Sequence, residues 1–116
     1  MKPTMRVVYK VWLVRGGKAF GDGPYDLLKG IEQTGSLHQA AAAMGMSYSK
    51  AWRLLQTIEK RLGFTLIERK TGGPSGGGSQ ITPKAKTFMR RYEKFRAEVK
   101  ELTGQAYQKH FGSLRK

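Results

Sequence analysis

The sequence contains no cysteine, which excludes disulfides, thiolate metal sites and cysteine nucleophiles. It also contains no long apolar run. Lys10 interrupts the apolar residues near the N-terminus and no small-residue cleavage site follows them, so we expect neither a secretory signal nor a membrane partner. Because nothing in the chain requires an oxidising compartment, a cytoplasmic location is expected.

Acidic residues are scarce. Eight Asp and Glu stand against 22 Lys and Arg, which gives a formal net charge of +14, and the stretch from Lys70 to Tyr92 contains no acid at all. This balance indicates a polyanionic partner, with nucleic acid ahead of an anionic membrane surface. A chain of 116 residues has room for one modest core, so we expect a single domain over residues 1–116.

The residue groups that usually carry catalysis are also missing. The sequence shows no carboxylate pair, no nucleophile beside a base, and no lysine in the glycine-rich stretch 72–79 where an NTPase loop requires one. The only histidines, His38 and His110, have no acidic or histidine neighbour at ligand spacing. We therefore expect no enzyme activity, no cofactor and no metal, and we expect His38 at the surface of the second helix, where a phosphate could approach it.

The residue patterns predict a mainly α chain with a small amount of β structure. A β-hairpin is predicted over residues 5–21. Residues 6–14 are rich in β-branched and aromatic types and would place one wholly apolar face on a strand, and Gly16-Gly17 suits a tight turn. The residues predicted to share one face of its first strand are Val7, Tyr9, Val11 and Leu13.

Three short helices are predicted within residues 24–63, the first opening at Pro24 and each ending at a glycine. Ser36 and Ser47 are suitable N-caps for the second and third helices. Alanines 40–43 leave the second helix narrow, which favours close packing at its joint with the third, although alanine is also simply the best helix former. Helices joined by such tight turns are typical of a helix-turn-helix unit.

Two strands around a glycine-rich loop are predicted over residues 64–82. Five of the eight residues from Gly72 to Ser79 are glycine, a composition that elsewhere indicates a solvated tether. The cations on both sides and the preceding helices favour instead a wing that follows a phosphate backbone closely, since glycine has no Cβ. We expect this loop to be mobile until DNA binds.

A long fourth helix is predicted over residues 83–103, opened by Thr82 as N-cap and Pro83. Gly104 is expected to weaken the turns that follow. Apolar residues spaced by four and three form a seam, part of which should pack inward and part of which should meet a second copy; which half does which stays open. The candidate dimer residues are Phe88, Tyr92, Phe95, Val99 and Leu102.

This order of elements is that of a winged helix-turn-helix, whose third helix enters the DNA major groove. Arg53 is the residue best suited to read a base, because its guanidinium matches guanine. Trp52 beside it is expected to pack, with stacking on DNA as the alternative. The candidate DNA-binding residues are Ser36, Ser47, Tyr48, Ser49, Lys50, Arg53, Gln56, Lys70, Thr71, Gly72, Gly73, Ser75, Gly76, Gly77 and Gly78.

Residues 35–82 resemble the DNA-binding domain of the LysR-type regulators. The motif E-x-x-L-G-x-x-L-[FI]-x-R, here residues 59–69, and the serine that opens the third helix carry this resemblance. The chain is similar, more closely still, to the N-terminal domain of the ModE group of molybdate-responsive regulators, over roughly residues 5–103. The features that carry this second resemblance are Ser47-Tyr48, Ala51-Trp52, Arg69, Thr71-Gly72-Gly73 and Gly76-Gly77-Gly78.

The resemblance implies a homodimer on an inverted-repeat DNA operator, paired through the fourth helix and neighbouring N-terminal elements. Regulators of the ModE group carry C-terminal oxyanion-binding domains that this sequence does not contain. Molybdate sensing is therefore not carried over, which leaves metal regulation absent or supplied by a separate sensor protein. The leading hypothesis is a sequence-specific transcriptional regulator associated with the nucleoid; the alternative is a basic adaptor or architectural DNA-binding protein acting with a partner.

Overall fold

The computed structural model of the chain describes residues 4–70 and 78–112, which are mainly helical with two small hairpins. They fall into two compact units, Val11–Met89 and Met1–Lys10 with Arg90–Lys116; the single domain predicted over residues 1–116 stays a prediction. The elements in chain order are β1 (Trp12–Val14), β2 (Lys18–Gly21), α1 (Asp22–Thr34), α2 (Leu37–Ala43), α3 (Tyr48–Leu62), β3 (Ile67–Lys70), β4 (Gly78–Ile81) and α4 (Pro83–Phe111).

The N-terminal hairpin is shorter than predicted. β1 begins only at Trp12, which pairs with Gly21 at the end of β2, so the strand expected over residues 6–14 is wrong before Trp12. The reason is the length of the return strand: β2 has four residues, and within the described residues no other strand pairs with β1. The turn itself is as predicted, with φ of 69° at Gly16 and 133° at Gly17.

The first helix begins at Asp22, two residues before the predicted Pro24. Asp22 is an acid in the first turn, where the helix dipole favours it, and Pro24 is tolerated there because its missing N–H would have no partner within the helix. The helix ends as predicted at Gly35, whose N–H donates to the Ile31 carbonyl over 2.7 Å. The fully buried large side chains of this unit are Phe20, Leu27, Leu28, Ile31, Leu55, Ile58 and Leu66.

The alanine run of α2 packs closely against α1, a contact that the sequence did not indicate. Ala40 and Ala41 are buried. The Ala40 Cβ lies only 3.0 Å from where a Cβ on Gly30 would stand, so α2 approaches α1 closely at this point, while the close packing expected at the joint with α3 stays a prediction. Gly30 makes this contact possible because it has no side chain at the point where α1 meets α2.

The second hairpin follows a short segment without regular structure. β3 begins at Ile67, not at the predicted Phe64, because the pair Leu66–Thr82 keeps only one bond of the ladder: the Thr82 N–H donates to the Leu66 carbonyl over 3.0 Å, whereas the Leu66 N–H donates to the Glu59 carboxylate over 2.7 Å. The Thr82 hydroxyl donates to the Thr65 carbonyl over 2.7 Å and accepts from the Ala85 N–H over 3.1 Å. Thr82 therefore caps α4 as predicted and also holds the segment before β3.

In the other unit, residues 4–10 lie beside the C-terminal part of α4. The Tyr107 hydroxyl donates to the Met5 carbonyl over 2.9 Å, and the Arg96 guanidinium lies 5.3 Å from the centroid of the Tyr9 ring.

The α4 helix continues to Phe111, eight residues beyond the predicted end at 103. Gly104 costs only about 1 kcal/mol relative to alanine, which the good helix formers after it offset. Of the helices that the structure describes, none has both the length and the apolar character needed to cross a membrane.

Candidate nucleic-acid interface

The third helix divides cleanly into a buried and an exposed side. Ala51, Leu55 and Ile58 are buried, whereas Ser49, Lys50 and Arg53 lie on the exposed side within about one turn of each other. The helix start is fixed by the Ser47 hydroxyl, which accepts from the Lys50 N–H over 3.1 Å. A rigid helix therefore presents two cations and a hydroxyl to solvent, as the sequence pattern predicted.

Ser36 plays the same capping role for α2. Its hydroxyl oxygen accepts from the Gln39 N–H over 3.1 Å, so both predicted caps are confirmed. In Ser36 and Ser47 alike, the hydroxyl oxygen accepts a hydrogen bond from a backbone N–H in the first turn of the helix. The hydroxyl hydrogen can rotate and donate to another acceptor. Contact with phosphate would therefore use these hydroxyls as donors.

Gln56 is less available than the sequence suggested. It is half-buried, and its amide nitrogen donates to the Glu59 carboxylate over 3.3 Å. The other Glu59 oxygen accepts from the Leu66 N–H over 2.7 Å and from the Ile67 N–H over 3.5 Å. Glu59 thus ties the end of α3 to the start of β3. The Gln56 amide must give up its hydrogen bond to Glu59 before its nitrogen can donate to a base.

The base of the wing is held against the turn between α1 and α2. The Ser79 N–H donates to the Gly35 carbonyl over 2.9 Å. A Cβ at Gly78 would press on the same carbonyl oxygen, well inside the 3.0 Å limit that real Cβ atoms respect. Packing therefore requires glycine at position 78, whatever its role toward DNA.

The remaining wing candidates divide between described and undescribed residues. Lys70 is exposed at the end of β3, where it pairs with Gly78 across the hairpin. The mobility expected of residues 72–79 stays a prediction for residues 72–77, which lie outside the described residues, whereas Gly78 and Ser79 belong to β4. The candidates that lie outside the described residues are Thr71, Gly72, Gly73, Ser75, Gly76 and Gly77.

A cleft of about 220 Å³, here called the wing-base cleft, lies beside this contact. Inside it the His38 ring stacks on the Tyr48 ring, with centroids 5.0 Å apart and an interplanar angle of 28°. The cleft brings together residues of α2, α3 and both wing strands. Its lining residues are Ser36, Leu37, His38, Tyr48, Arg69, Gly78 and Ser79.

The sequence indicated Arg69 as flanking charge and as part of the ModE resemblance, and His38 as a surface residue within reach of a phosphate, but it did not bring these residues together with Ser79 in one site. A signal for Arg69 was present: strand alternation from the buried Ile67 puts Arg69 on the same side of β3. No comparable signal existed for His38, because its neighbour Tyr48 lies on another helix.

Trp52 is 41% exposed on α3, so both packing within the domain and stacking on DNA stay open for its ring.

The predicted dimer seam on α4 separates into covered and exposed residues. Phe88 packs in its own chain, with ring centroids 4.9 Å from Phe20 and 5.6 Å from Phe64, and Tyr92 is buried. Phe95 and Leu102 are 40% and 56% exposed, and Val99 is half-buried. Any partner therefore meets the seam from Phe95 onward.

Away from the exposed side of α3 and the wing, one carboxyl group of α1 has a perturbed pKa. Partial burial, with a smaller contribution from the neighbouring Asp22 carboxylate, raises the pKa of Asp26 on α1 above its usual range. Among residues 4–70 and 78–112, no three His, Asp or Glu side chains are grouped closely enough to hold a metal ion.

The fold and the exposed face of α3 together define the class, a winged helix-turn-helix domain with a basic third helix. Residues 26–86 match the family described as bacterial regulatory helix-turn-helix proteins of the lysR family, and the chain belongs to that family. The crystal structure described as a CbnR DBD–DNA complex shares the fold, with a TM-score of 0.56, 20% identity and coverage of 79% of this chain and 95% of that one.

Curated relatives bear the name ModE. The molybdenum transport protein ModE of Herbaspirillum seropedicae is 46% identical over 61 residues, or 53% of this chain and 23% of that protein. The DNA-binding transcriptional dual regulator ModE of Escherichia coli K12 is 35% identical over 88 residues, or 76% of this chain and 30% of that protein. This chain thus spans less than a third of either relative, and the resemblance stated from the sequence is confirmed.

Proposed function

We propose that this chain is the DNA-binding part of a sequence-specific transcriptional regulator. The observation that carries the proposal is the exposed side of α3, where Lys50 and Arg53 stand with Ser49 above a buried apolar side. Within α3 the only carboxylate is Glu59, which is engaged with the start of β3. Family membership and the regulatory function named for the ModE relative of Escherichia coli K12 support the same conclusion.

In the proposed complex, α3 lies in the major groove and Arg53 donates to a guanine edge. Lys50 and the exposed Lys70 contact backbone phosphates, which position the domain without reading sequence. The net charge of +14 attracts DNA over a distance of several ångströms and makes binding sensitive to salt. Such a protein acts where the DNA is, so a cytoplasmic, nucleoid-associated location belongs to the proposal.

The proposal includes a homodimer. Within the unit formed by residues 4–10 and 90–112, apolar side chains stand in solvent: Val8 is 75% exposed and Leu102 is 56% exposed. A groove of about 470 Å³ lies between the N-terminal segment and α4, lined by Val7, Val8 and Tyr9 among others. A second copy covering this surface would place two α3 helices related by two-fold symmetry, which matches an inverted-repeat operator.

The experiment that tests the proposal is selection of bound sequences from a random DNA pool at physiological salt. A palindromic winner supports both the specific contact and the two-fold arrangement, and its half-site spacing gives the distance between the two α3 helices. Binding that survives only below roughly 50 mM salt, with no enriched sequence, would instead support an adaptor or architectural role.

A further inference from the structure

The wing-base cleft carries side-chain chemistry that the exposed side of α3 does not include. Its seven lining residues offer one guanidinium, one imidazole and three hydroxyls, and none of them is a carboxylate. At about 220 Å³ the cleft is smaller than the roughly 300 Å³ at which pockets for drug-sized ligands begin. Its size and its donors suit a single tetrahedral oxyanion.

Three separate contacts hold these groups in place. The Gly35 carbonyl holds β4 at Ser79, and the ladder that pairs Arg69 with Ser79 fixes the position of Arg69 on β3. The stack on Tyr48 keeps the His38 ring at the cleft, since one ring comes from α2 and the other from α3. The backbone of both wing strands and the His38 ring are therefore in place before any ligand arrives, and the donors of the cleft are side chains rather than the terminus of the short α2 helix.

We propose that the wing-base cleft receives one backbone phosphate of the bound DNA, and that protonated His38 acts there beside Arg69 as a second cation. The inference rests on the proposed DNA-binding function and adds a pH dependence to it. Histidine is the side chain whose charge ordinarily changes between about pH 5 and 8. Because the phosphate favours the charged imidazole, DNA binding draws a proton onto His38 and tightens as pH falls.

The charged and titratable groups that face His38 among the described lining residues come from two elements. From α3 the cleft presents Tyr48 and from β3 it presents Arg69, and neither residue type ordinarily changes charge in this pH interval. The remaining lining residues are uncharged: Ser36, Leu37, Gly78 and Ser79. A pH effect on binding that depends on position 38 therefore reports on the imidazole itself.

The test measures affinity for a labelled duplex of mixed sequence, about 30 base pairs long, at constant ionic strength. The wild-type chain is expected to bind about three- to fivefold more tightly at about pH 6 than at about pH 8. His38→Phe keeps a ring on Tyr48 without the charge and is expected to bind at both pH values as the wild type does at the higher one. His38→Arg, a permanent cation, is expected to bind at both as the wild type does at the lower one.

His110→Gln is the matched control, because it removes the only other histidine, near the end of α4, and is expected to keep the pH effect. A pH effect that persists in His38→Phe, or is absent from the wild type while the duplex binds, overturns this inference alone. Failure of the wild type to bind at either pH both this duplex and any sequence selected from the random pool overturns the proposed function instead. Should His38→Phe unfold, His38→Gln provides the same loss of charge.

Discussion

At the scale of single residues, Arg53 and Lys70 are expected to contribute to DNA binding in different ways. Arg53→Ala should cost about 1–3 kcal/mol on the preferred sequence and relax the base preference at one position, because it removes a base contact. Lys70→Ala should weaken binding to preferred and random duplexes alike and reduce the salt slope by about one, because it removes a phosphate contact. Titrations of both duplexes at several salt concentrations measure both effects, and equal losses on both duplexes for Arg53→Ala would rule out its specific role.

Gly78 is a second residue at which the structure predicts a sharp outcome. Gly78→Ala places a Cβ on the Gly35 carbonyl, which as backbone cannot rotate away, so β4 must shift and the Ser79 hydrogen bond must lengthen. We expect a loss of about 1–3 kcal/mol in the free energy of unfolding, measured by urea denaturation, together with weaker DNA binding.

Gly23→Ala is the control for this substitution, since a Cβ on Gly23 of α1 would meet nothing within 4 Å. It should leave stability unchanged or raise it by up to about 1 kcal/mol, because glycine is a poor helix residue. Equal stabilities for the Gly78 and Gly23 variants would contradict the packing described for the wing base.

Residues whose roles depend on local neighbours were predictable from sequence, and residues whose partners are distant were not. Ser36, Ser47 and Thr82 cap helices as predicted, because a cap involves only the next few residues. Glu59 and Gly78 act through partners set by the tertiary fold, so their spacing along the chain carries no sign of them.

At the scale of elements, the largest differences concern strand and helix lengths. The alternating residues 6–14 predicted one long strand, but a strand extends only as far as its partner, and β2 ends opposite Trp12. The fourth helix was predicted to stop near Gly104, yet contacts such as that of Tyr107 with Met5 hold its C-terminal turns. Local composition therefore predicted the type and order of the elements, while tertiary contacts decided where they end.

The joint between α3 and β3 yields a prediction at this scale. Glu59→Ala removes the acceptor of the Leu66 and Ile67 N–H groups, and we expect it to lower the free energy of unfolding by about 1–2 kcal/mol. Faster amide exchange confined to Leu66 and Ile67 would locate the effect. Glu68→Ala, on the exposed side of β3, is the matched control and should change stability by less than about 0.5 kcal/mol. If the two variants lose the same stability, Glu59 does not hold the joint.

At the scale of the whole molecule, the proposed dimer is testable through Leu102. Leu102→Lys puts a charge at a position that is 56% exposed in the single chain, in a surface that we propose a second copy covers. Burial of an unpaired charge should weaken self-association at least about tenfold, measured by sedimentation velocity over a range of concentrations.

Val14→Lys provides the comparison, because Val14 is 70% exposed on β1 in the other unit and should tolerate the charge without change in association. A wild-type chain that stays monomeric, or a Leu102→Lys variant that associates as the wild type does, would remove the dimer from the proposal. Sequence alone predicted the seam but not its exposed half, because only the packing of Phe88 and the burial of Tyr92 separate the two halves.

Among the described residues, two contacts tie the wing strands to the helices that precede them. Glu59 holds the start of β3, and the Gly35 carbonyl holds β4 at Ser79. Each wing strand is thus anchored by a residue that precedes the wing in the chain. A substitution in the turn between α1 and α2, or at the end of α3, can therefore shift the wing base, and with it the DNA contact proposed for Lys70, without changing any residue of the wing.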